Sequence, residues 1–435
     1  MDFLLVRSSL FRTKTSNQFS KAGLYVCGLF QSKRSNMEQM SETVLDADYH
    51  QIQHFISESP WEARTVMDSV ATDTSRLFAE SEEVFLLIDE SCHTKKGDKS
   101  VGVARQYSGQ LGKVDNCQVA VYAALSTDKY YSLIDTRLYL PKEWISDKSR
   151  CISAGIPKTS IIHKTKLELA LEMITYQQQA GTRFHWVGAD GFYGHDNKFR
   201  AGVASLGLLY MLDIHSTDSV YLEKPTICIP DKKKGKGRKP TLLQTDRMPV
   251  KVCDIAKSLT ANQWKTYSVR DTAKGPLVID VWVQEVYTWD EHSEQSAKEV
   301  LVIRRDKNKE GKYEYKYSLT NADFNKYSWL QLAKAQAQRY FVERGFEDAK
   351  QEIGMSQYQV RGWLAWHHHI ALVMLSMLFV LTEKIRYKNE YPLLSARDIR
   401  EIIAKTYAQK QNVIELMENR HRKRQADIDR YYRKT

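Results

Sequence analysis

Two short apolar runs that each close on an aspartate constrain this chain more than any other feature: Val84–Ile88 before Asp89, and Phe184–Ala189 before Asp190. Runs of this length and composition read as buried strands. Cys117–Leu125 and Tyr130–Leu140 read as two more, separated by the polar Ser126–Lys129. Lys164–Gln179 has helical periodicity through Leu167, Leu171 and Ile174; His195–Leu206 follows as a helix and Leu208–Ile214 as a strand. Three strands, helix, strand, helix, strand is the order of an α/β mixed sheet with helices on its faces. Ligands of such sheets gather at the carboxyl ends of strands. An aspartate there presents hard oxygen ligands of the kind Mg2+ takes, from a rigid backbone. A helix N-cap is an equally simple role for Asp190.

The rest of the chain divides around that segment. Residues 1–80 are polar and helical in pattern, with helices expected at Asn36–Val44, Tyr49–Ile56 and Pro60–Leu77, the last opened by Pro60 after the cap Ser59. We divide the remainder into a core over 81–217, a β-rich insertion over 218–325, a second core segment over 326–385 and a helical basic region over 386–435. The insertion carries strand-like segments at Val250–Asp254, Leu277–Val286, Glu299–Arg304 and Tyr313–Leu319, with a hairpin turn at Asn308–Gly311. Helices are expected over Trp329–Gly354, Gln357–Glu383 and Ala396–Arg424.

A net charge of +11 suits an anionic partner such as nucleic acid. The basic run at 232–239, which includes Lys232, Lys233 and Lys234, is either a solvated loop or a phosphate contact, and the tail from Arg420 reads as a segment for non-specific DNA binding or subunit contact. Six scattered cysteines without a C-x-x-C pair suggest neither a zinc knuckle nor a redox dithiol, and fit a reducing cytosol. The apolar run Phe3–Val6 is too short for a secretory signal. Ile370–Leu381 falls short of the about 20 residues of a membrane span and reads as a buried helix, so no membrane partner is expected. The glycines of Lys95–Lys113 do not form a phosphate loop of the Walker type, because Val114 follows Lys113 and Tyr107 stands where its first Gly belongs. That segment reads as a basic surface loop. His367, His368 and His369 point to different sides of a helix, which favours a helix rim or DNA backbone contact over a metal site.

Gln336, Arg339, Glu343 and Lys350 are spaced three, four and seven apart, along one helical stripe. Such a stripe can set one carboxylate on a metal and two cations on phosphates; a solvated face with i,i+4 ion pairs has the same spacing. Glu347, Asp348 and Glu352 compete with Glu343 on spacing alone.

The chain resembles the DDE transposases of bacterial insertion sequences, in the insertion-sequence-four superfamily and most of all its insertion sequence 701 group. Three blocks between roughly 84 and 375 carry the resemblance. The first is Ile88-Asp-Glu-Ser91 with Lys95-Lys-Gly97, Ser100-Val-Gly-Val-Ala-Arg-Gln-Tyr107 and Asn116-Cys-Gln-Val-Ala120. The second is Gly188-Ala-Asp-Gly-Phe-Tyr-Gly194, and the third Arg339-Tyr-Phe-Val-Glu343 through Lys350 to Tyr358-Gln-Val-Arg-Gly-Trp363. The superfamily pattern Tyr-x2-Arg-x3-Glu-x6-Lys falls on Gln336, Arg339, Glu343 and Lys350, with Gln in the Tyr position.

The resemblance implies an RNase H-like fold with a β-rich insertion. It implies Asp89, Asp190 and Glu343 as catalytic residues and ligands of two Mg2+ ions, with Mn2+ as substitute, and cleavage and strand transfer at the ends of an insertion sequence. Arg339 and Lys350 are then phosphate ligands. Lys96 and Arg105 are candidate DNA contacts, and Trp264, Trp282 or Trp289 a platform for a flipped base in a hairpin intermediate. Implied partners are terminal inverted repeats and target DNA, with a homodimer in the DNA complex, in the bacterial cytoplasm and nucleoid. The rivals are an RNase H-like nuclease without strand transfer and a non-catalytic DNA-binding derivative of a transposase.

Overall fold

A single sheet runs through the molecule, and ten strands belong to it among the described residues. The computed structural model describes residues 2–14, 16–109, 112–230, 240–272, 275–291 and 293–407, with short pieces between 417 and 429. The strands are β1 (Phe85–Thr94), β2 (Ala104–Ser108), β3 (Lys113–Thr127), β4 (Tyr130–Leu138), β5 (Trp186–Ala189) and β6 (Leu209–Ile214). β7 (Lys265–Thr272), β8 (Gly275–Thr288), β9 (Ala297–Lys307) and β10 (Tyr313–Thr320) follow.

β1 pairs antiparallel with β3 and parallel with β5, which pairs parallel with β6. β3 carries β2 and β4 on its other edge. The order β4-β3-β1-β5-β6 is that of an RNase H-like sheet. Antiparallel pairing of β10 with β6 then continues the ladder outward through β9, β8 and β7. Within 218–325, β7 to β10 thus extend the central sheet, while Ser219–Val220 pairs with Val250–Lys251 and Ile227–Cys228 with Gln244–Thr245 in two small sheets of their own.

The main helices before the outer strands are α1 (Phe19–Gln31), α2 (Met37–Thr43), α3 (Tyr49–Ser57), α4 (Ala63–Leu77), α5 (Lys166–Gln179) and α6 (Asn197–Ser205). After the sheet come α7 (Trp329–Ala337), α8 (Tyr340–Gln351), α9 (Trp363–Arg386) and α10 (Ala396–Thr406). Side-chain caps set several starts: Asn36, Asp48, Thr165 and Ser328 each accept a backbone N–H of the first turn. The apolar faces of α1 to α4 share one hydrophobic core with the central sheet and α9. A second core lies under the outer strands and includes Trp264, Trp282, Ile255 and Leu301.

Several expectations change. β1 continues past Asp89 because β3 still pairs with it there. Ala104–Ser108 is a strand rather than loop, and Val252–Ser258 is a helix where a strand was expected. The last N-terminal helix begins at Ala63, three residues after Pro60. α9 begins only at Trp363. By length and composition it is sufficient to cross a membrane, but 83% of its most apolar window is buried inside the protein.

His368 and His369 on α9 are core residues, not a rim, while His367 is half-buried. His368 stacks on Trp61 at 3.7 Å and meets the carbonyls of Ile56 and Trp61, while His369 meets Tyr25 Oη and the Met355 carbonyl. Burial pushes the pKa of His369 down to about 3 and that of His367 to about 4.

Candidate active site

Ile88 and Ala189 are partners in the parallel β1–β5 register, so the next residues, Asp89 and Asp190, emerge side by side. Parallel pairing ends there, and Asp190 turns into the one-turn helix Gly191–Gly194, whose Phe192 N–H its side chain caps at 3.1 Å. Both expected roles of Asp190, strand-end carboxylate and cap, are thus present together.

That short helix rests directly on β6. A Cβ on Gly194 would overlap the Asp213 carbonyl and come within 3.0 Å of the Leu212 side chain. Gly194→Ala is therefore expected to cost about 1–3 kcal/mol by overpacking, read as a lowered urea midpoint with unchanged slope.

Glu343 arrives from the opposite side, in the first turn of α8. The expected single helix over 329–354 is broken at Gln338 and Arg339, where Phe341 N–H bonds the Gln338 carbonyl three residues back. Gln338 is drawn towards the sheet by the Ser126 hydroxyl, which donates to its Oε1 at 3.2 Å. The break places Arg339 at the centre of the acids. Its Nη2 lies 2.6 Å from Glu343, its Nε 2.8 Å from Asp213 and its Nη1 3.9 Å from Asp89.

Gln336 ends on α7, outside the expected stripe. It is buried, and its amide donates to Ser318 Oγ at 2.8 Å; Ser318 donates to Asp213 at 2.6 Å. A relay of Gln336, Ser318 and Asp213 thus orients the Arg339 guanidinium.

Negative charge is under-compensated at the paired aspartates. The Asp89 carboxyl is pushed up to about 7, first by burial and then by Asp190, with Arg339 opposing. Asp190 is raised as well, by burial and then by Glu90, with Arg339 again opposing. Glu90 itself bonds Lys166 at 2.6 Å and accepts from Tyr193 Oη at 3.2 Å. Two adjacent hard carboxylates whose repulsion is unrelieved suit a divalent cation. Glu343 is engaged by Arg339 instead. Among the described residues no group of three His, Cys, Asp or Glu side chains is gathered closely enough to hold a metal.

Lys350 is half-buried within electrostatic reach of Asp89, and burial lowers its pKa. Lys96 and Arg105 are exposed, Arg105 on β2. Trp264 offers no open platform: it is 8% exposed, with the Arg305 guanidinium 4.2 Å over its ring. Trp282 is buried and Trp289 is half-buried, donating its indole N–H to the Ser293 carbonyl. Lys232, Lys233 and Lys234, and most of the tail beyond 407, lie outside the described residues.

Asp213 was the acid missed by sequence reasoning, although Leu209–Leu212 before it repeats the signal seen at Asp89 and Asp190. Lys95 was also passed over. Its ammonium donates to the Tyr358 carbonyl at 3.0 Å and lies 3.3 Å from that ring centre, and burial pulls its pKa down to about 7.

The fold sets Asp89 and Asp190 side by side where parallel pairing of β1 and β5 ends, and Arg339 links this pair to Glu343 on α8. Residues 10–276 match the family described as "DDE superfamily endonuclease", and the chain belongs to that family. The matched span contains Asp89 and Asp190 and ends before Glu343. The chain is also 28% identical, over 200 residues, to the "Probable transposase for insertion sequence element IS701" of Microchaete diplosiphon. That alignment spans 45% of this chain and 49% of the relative, about half of its length. Among solved structures, a cryo-EM structure of the piggyBac transposase synaptic complex with hairpin DNA aligns over 96% of this chain and 80% of that one, at 9% identity and a TM-score of 0.40.

Proposed function

We propose that this chain is a DNA transposase of the insertion sequence 701 type, cutting and joining DNA with Asp89, Asp190 and Glu343 as its catalytic carboxylates. The observation that carries the reading is the convergence on one guanidinium, that of Arg339, of two acids remote in sequence, Asp89 and Glu343, with Asp190 beside Asp89. Asp89 and Asp190 are the residues to hold a divalent cation, Mg2+ or Mn2+, with Glu343 completing the set once released from Arg339. Such a cation supplies charge neutralisation and Lewis-acid polarisation of a phosphodiester.

The chain's own groups do the rest. Asp213 and Ser318 keep the Nε side of Arg339 fixed, so its two terminal nitrogens face the acids and a phosphate brought to them. Lys350 adds a second cation near Asp89. In hydrolysis a water oxygen bonds to phosphorus as the bond to the strand's 3′ oxygen breaks; the water loses a proton and the departing 3′ oxygen gains one, becoming a hydroxyl. In strand transfer that freed 3′-hydroxyl is the nucleophile, and the target strand's 3′ oxygen leaves.

The test is a plasmid bearing the element's ends, incubated with the protein and a target plasmid in Mg2+ or in EDTA. Metal-dependent nicks at the ends and joined products are expected, with DNA affinity falling steeply as salt rises. Nicks without joined products would make the chain a nuclease. Binding with no metal-dependent nick would leave only a DNA-binding protein.

A further inference from the structure

Next to the acids, on the side of the outer strands, lies a cavity of about 60 Å³ lined by Arg270, Arg304, Lys316 and Arg339 together with Asp213 and Glu343. About 10–15 Å³ of such space holds one water, so the cavity has room for a small polar group rather than a single water. Both carboxylates are already engaged by Arg339. Arg270, Arg304 and Lys316 form no ion pair among the described residues, and the Nε groups of Arg270 and Arg304 are buried without a hydrogen-bond partner.

The fold assembles these cations against their mutual repulsion. Arg304 on β9 and Lys316 on β10 are directly opposed partners in the ladder, an arrangement of like charges that destabilises a sheet. Lys316 and Ser318 alternate onto one face, and Ser318 is opposite Asp213, so these side chains share the face that Arg339 covers. A register shift between Ser268 and Arg270 re-aims Arg270, whose guanidinium stacks 3.8 Å over the Tyr340 ring. Burial and then the neighbouring cations depress Lys316, and burial also leads the depression of Arg304, with Arg339 and Arg270 adding to it.

We propose that this cavity is a phosphate-binding site, built by Arg270, Arg304 and Lys316 of the outer strands, that seats one phosphate of the DNA beside the cleavage centre. A tetrahedral oxyanion supplies the acceptors that the two guanidinium Nε groups lack and offsets the opposed charges. The DNA origin of the phosphate rests on the proposed function; the pocket itself does not.

Inorganic phosphate is the probe, titrated into the full chain in EDTA at constant ionic strength and followed by calorimetry and thermal melting. One saturable site that raises the melting temperature is expected. Arg304→Gln and, separately, Lys316→Gln are expected to weaken it about tenfold or more, while melting no lower than wild type without phosphate because a like-charge pair is removed. Lys316 is exposed along its flank, so its variant keeps the test informative if Arg304→Gln misfolds. No saturable binding, or equal binding in wild type and variants, overturns the pocket. An element-end oligonucleotide carrying phosphates is expected to displace inorganic phosphate from Asp89→Asn, which cannot cleave. Absence of that competition overturns the DNA occupant while leaving the cleavage assay to judge the carboxylates.

Discussion

Asp89→Asn is expected, from the catalytic role proposed for Asp89, to lower DNA cleavage at least about a thousandfold, and at the same time to stabilise the metal-free fold. The two effects have one cause. Asp89 is largely but not fully buried beside Asp190, and its carboxyl is raised from 3.8 to about 7. A carboxyl with a folded-state pKa above its unfolded value binds its proton more tightly when folded. Its contribution to stability is therefore fully present below about pH 4 and is lost as pH rises through about 7. Asparagine has the same shape and no charge to repel Asp190. Metal-free chemical denaturation should then show the variant gaining on wild type between pH 4 and 8, by a few kcal/mol at the upper end on the scale of ~1.4 kcal/mol per pKa unit. A divalent cation should reverse the order by stabilising wild type alone. Equal pH profiles for the two proteins would remove Asp89 from the charged centre, whatever happened to cleavage.

The second large effect concerns the join between the outer strands and the core. Arg200 on α6 and Glu299 on β9 are both buried and bond at 3.0 Å. Glu299 also takes the hydroxyls of Tyr210 and Thr288, and Arg200 donates to the Gly194 carbonyl at 2.6 Å and to Asn197. Glu299→Ala leaves a guanidinium buried without its counter-charge, which costs about 3–5 kcal/mol. That is a large share of the about 5–15 kcal/mol by which domains are stable. Urea denaturation should show the loss, and the double variant Arg200→Met with Glu299→Leu should recover most of it, because no charge is left unpaired. If Glu299→Ala and the double variant are equally unstable, packing rather than charge governs the join.

The parts of this architecture that were legible in the sequence are those written in local pattern. Apolar runs closing on Asp89 and Asp190 announced the central strands, since burial on both faces demands continuous apolar residues. β2 was hidden because Arg105, Gln106 and Tyr107 lie on a half-solvated edge hairpin and show no apolar run. The break at Gln338–Arg339 was hidden for another reason. Ala335-Gln-Ala-Gln-Arg339 contains only good helix formers, and the interruption is imposed by Ser126 and Asp213 from distant strands. Glu343 could be chosen from its acidic neighbours only through the family pattern. Asp348, one of those rivals, is buried against Tyr131, whose hydroxyl donates to it at 2.6 Å. Arg304 and Lys316 become neighbours only through strand register, which single-sequence patterns do not reveal.

One further consequence comes from the unbroken ladder that joins β6 to β10 and beyond. A loop-tethered module would swing, letting its grip and the blade find each other at many separations. Hydrogen-bonded strands allow no such play. The outer strands are thus held at a fixed span from the paired aspartates, as one continuous surface.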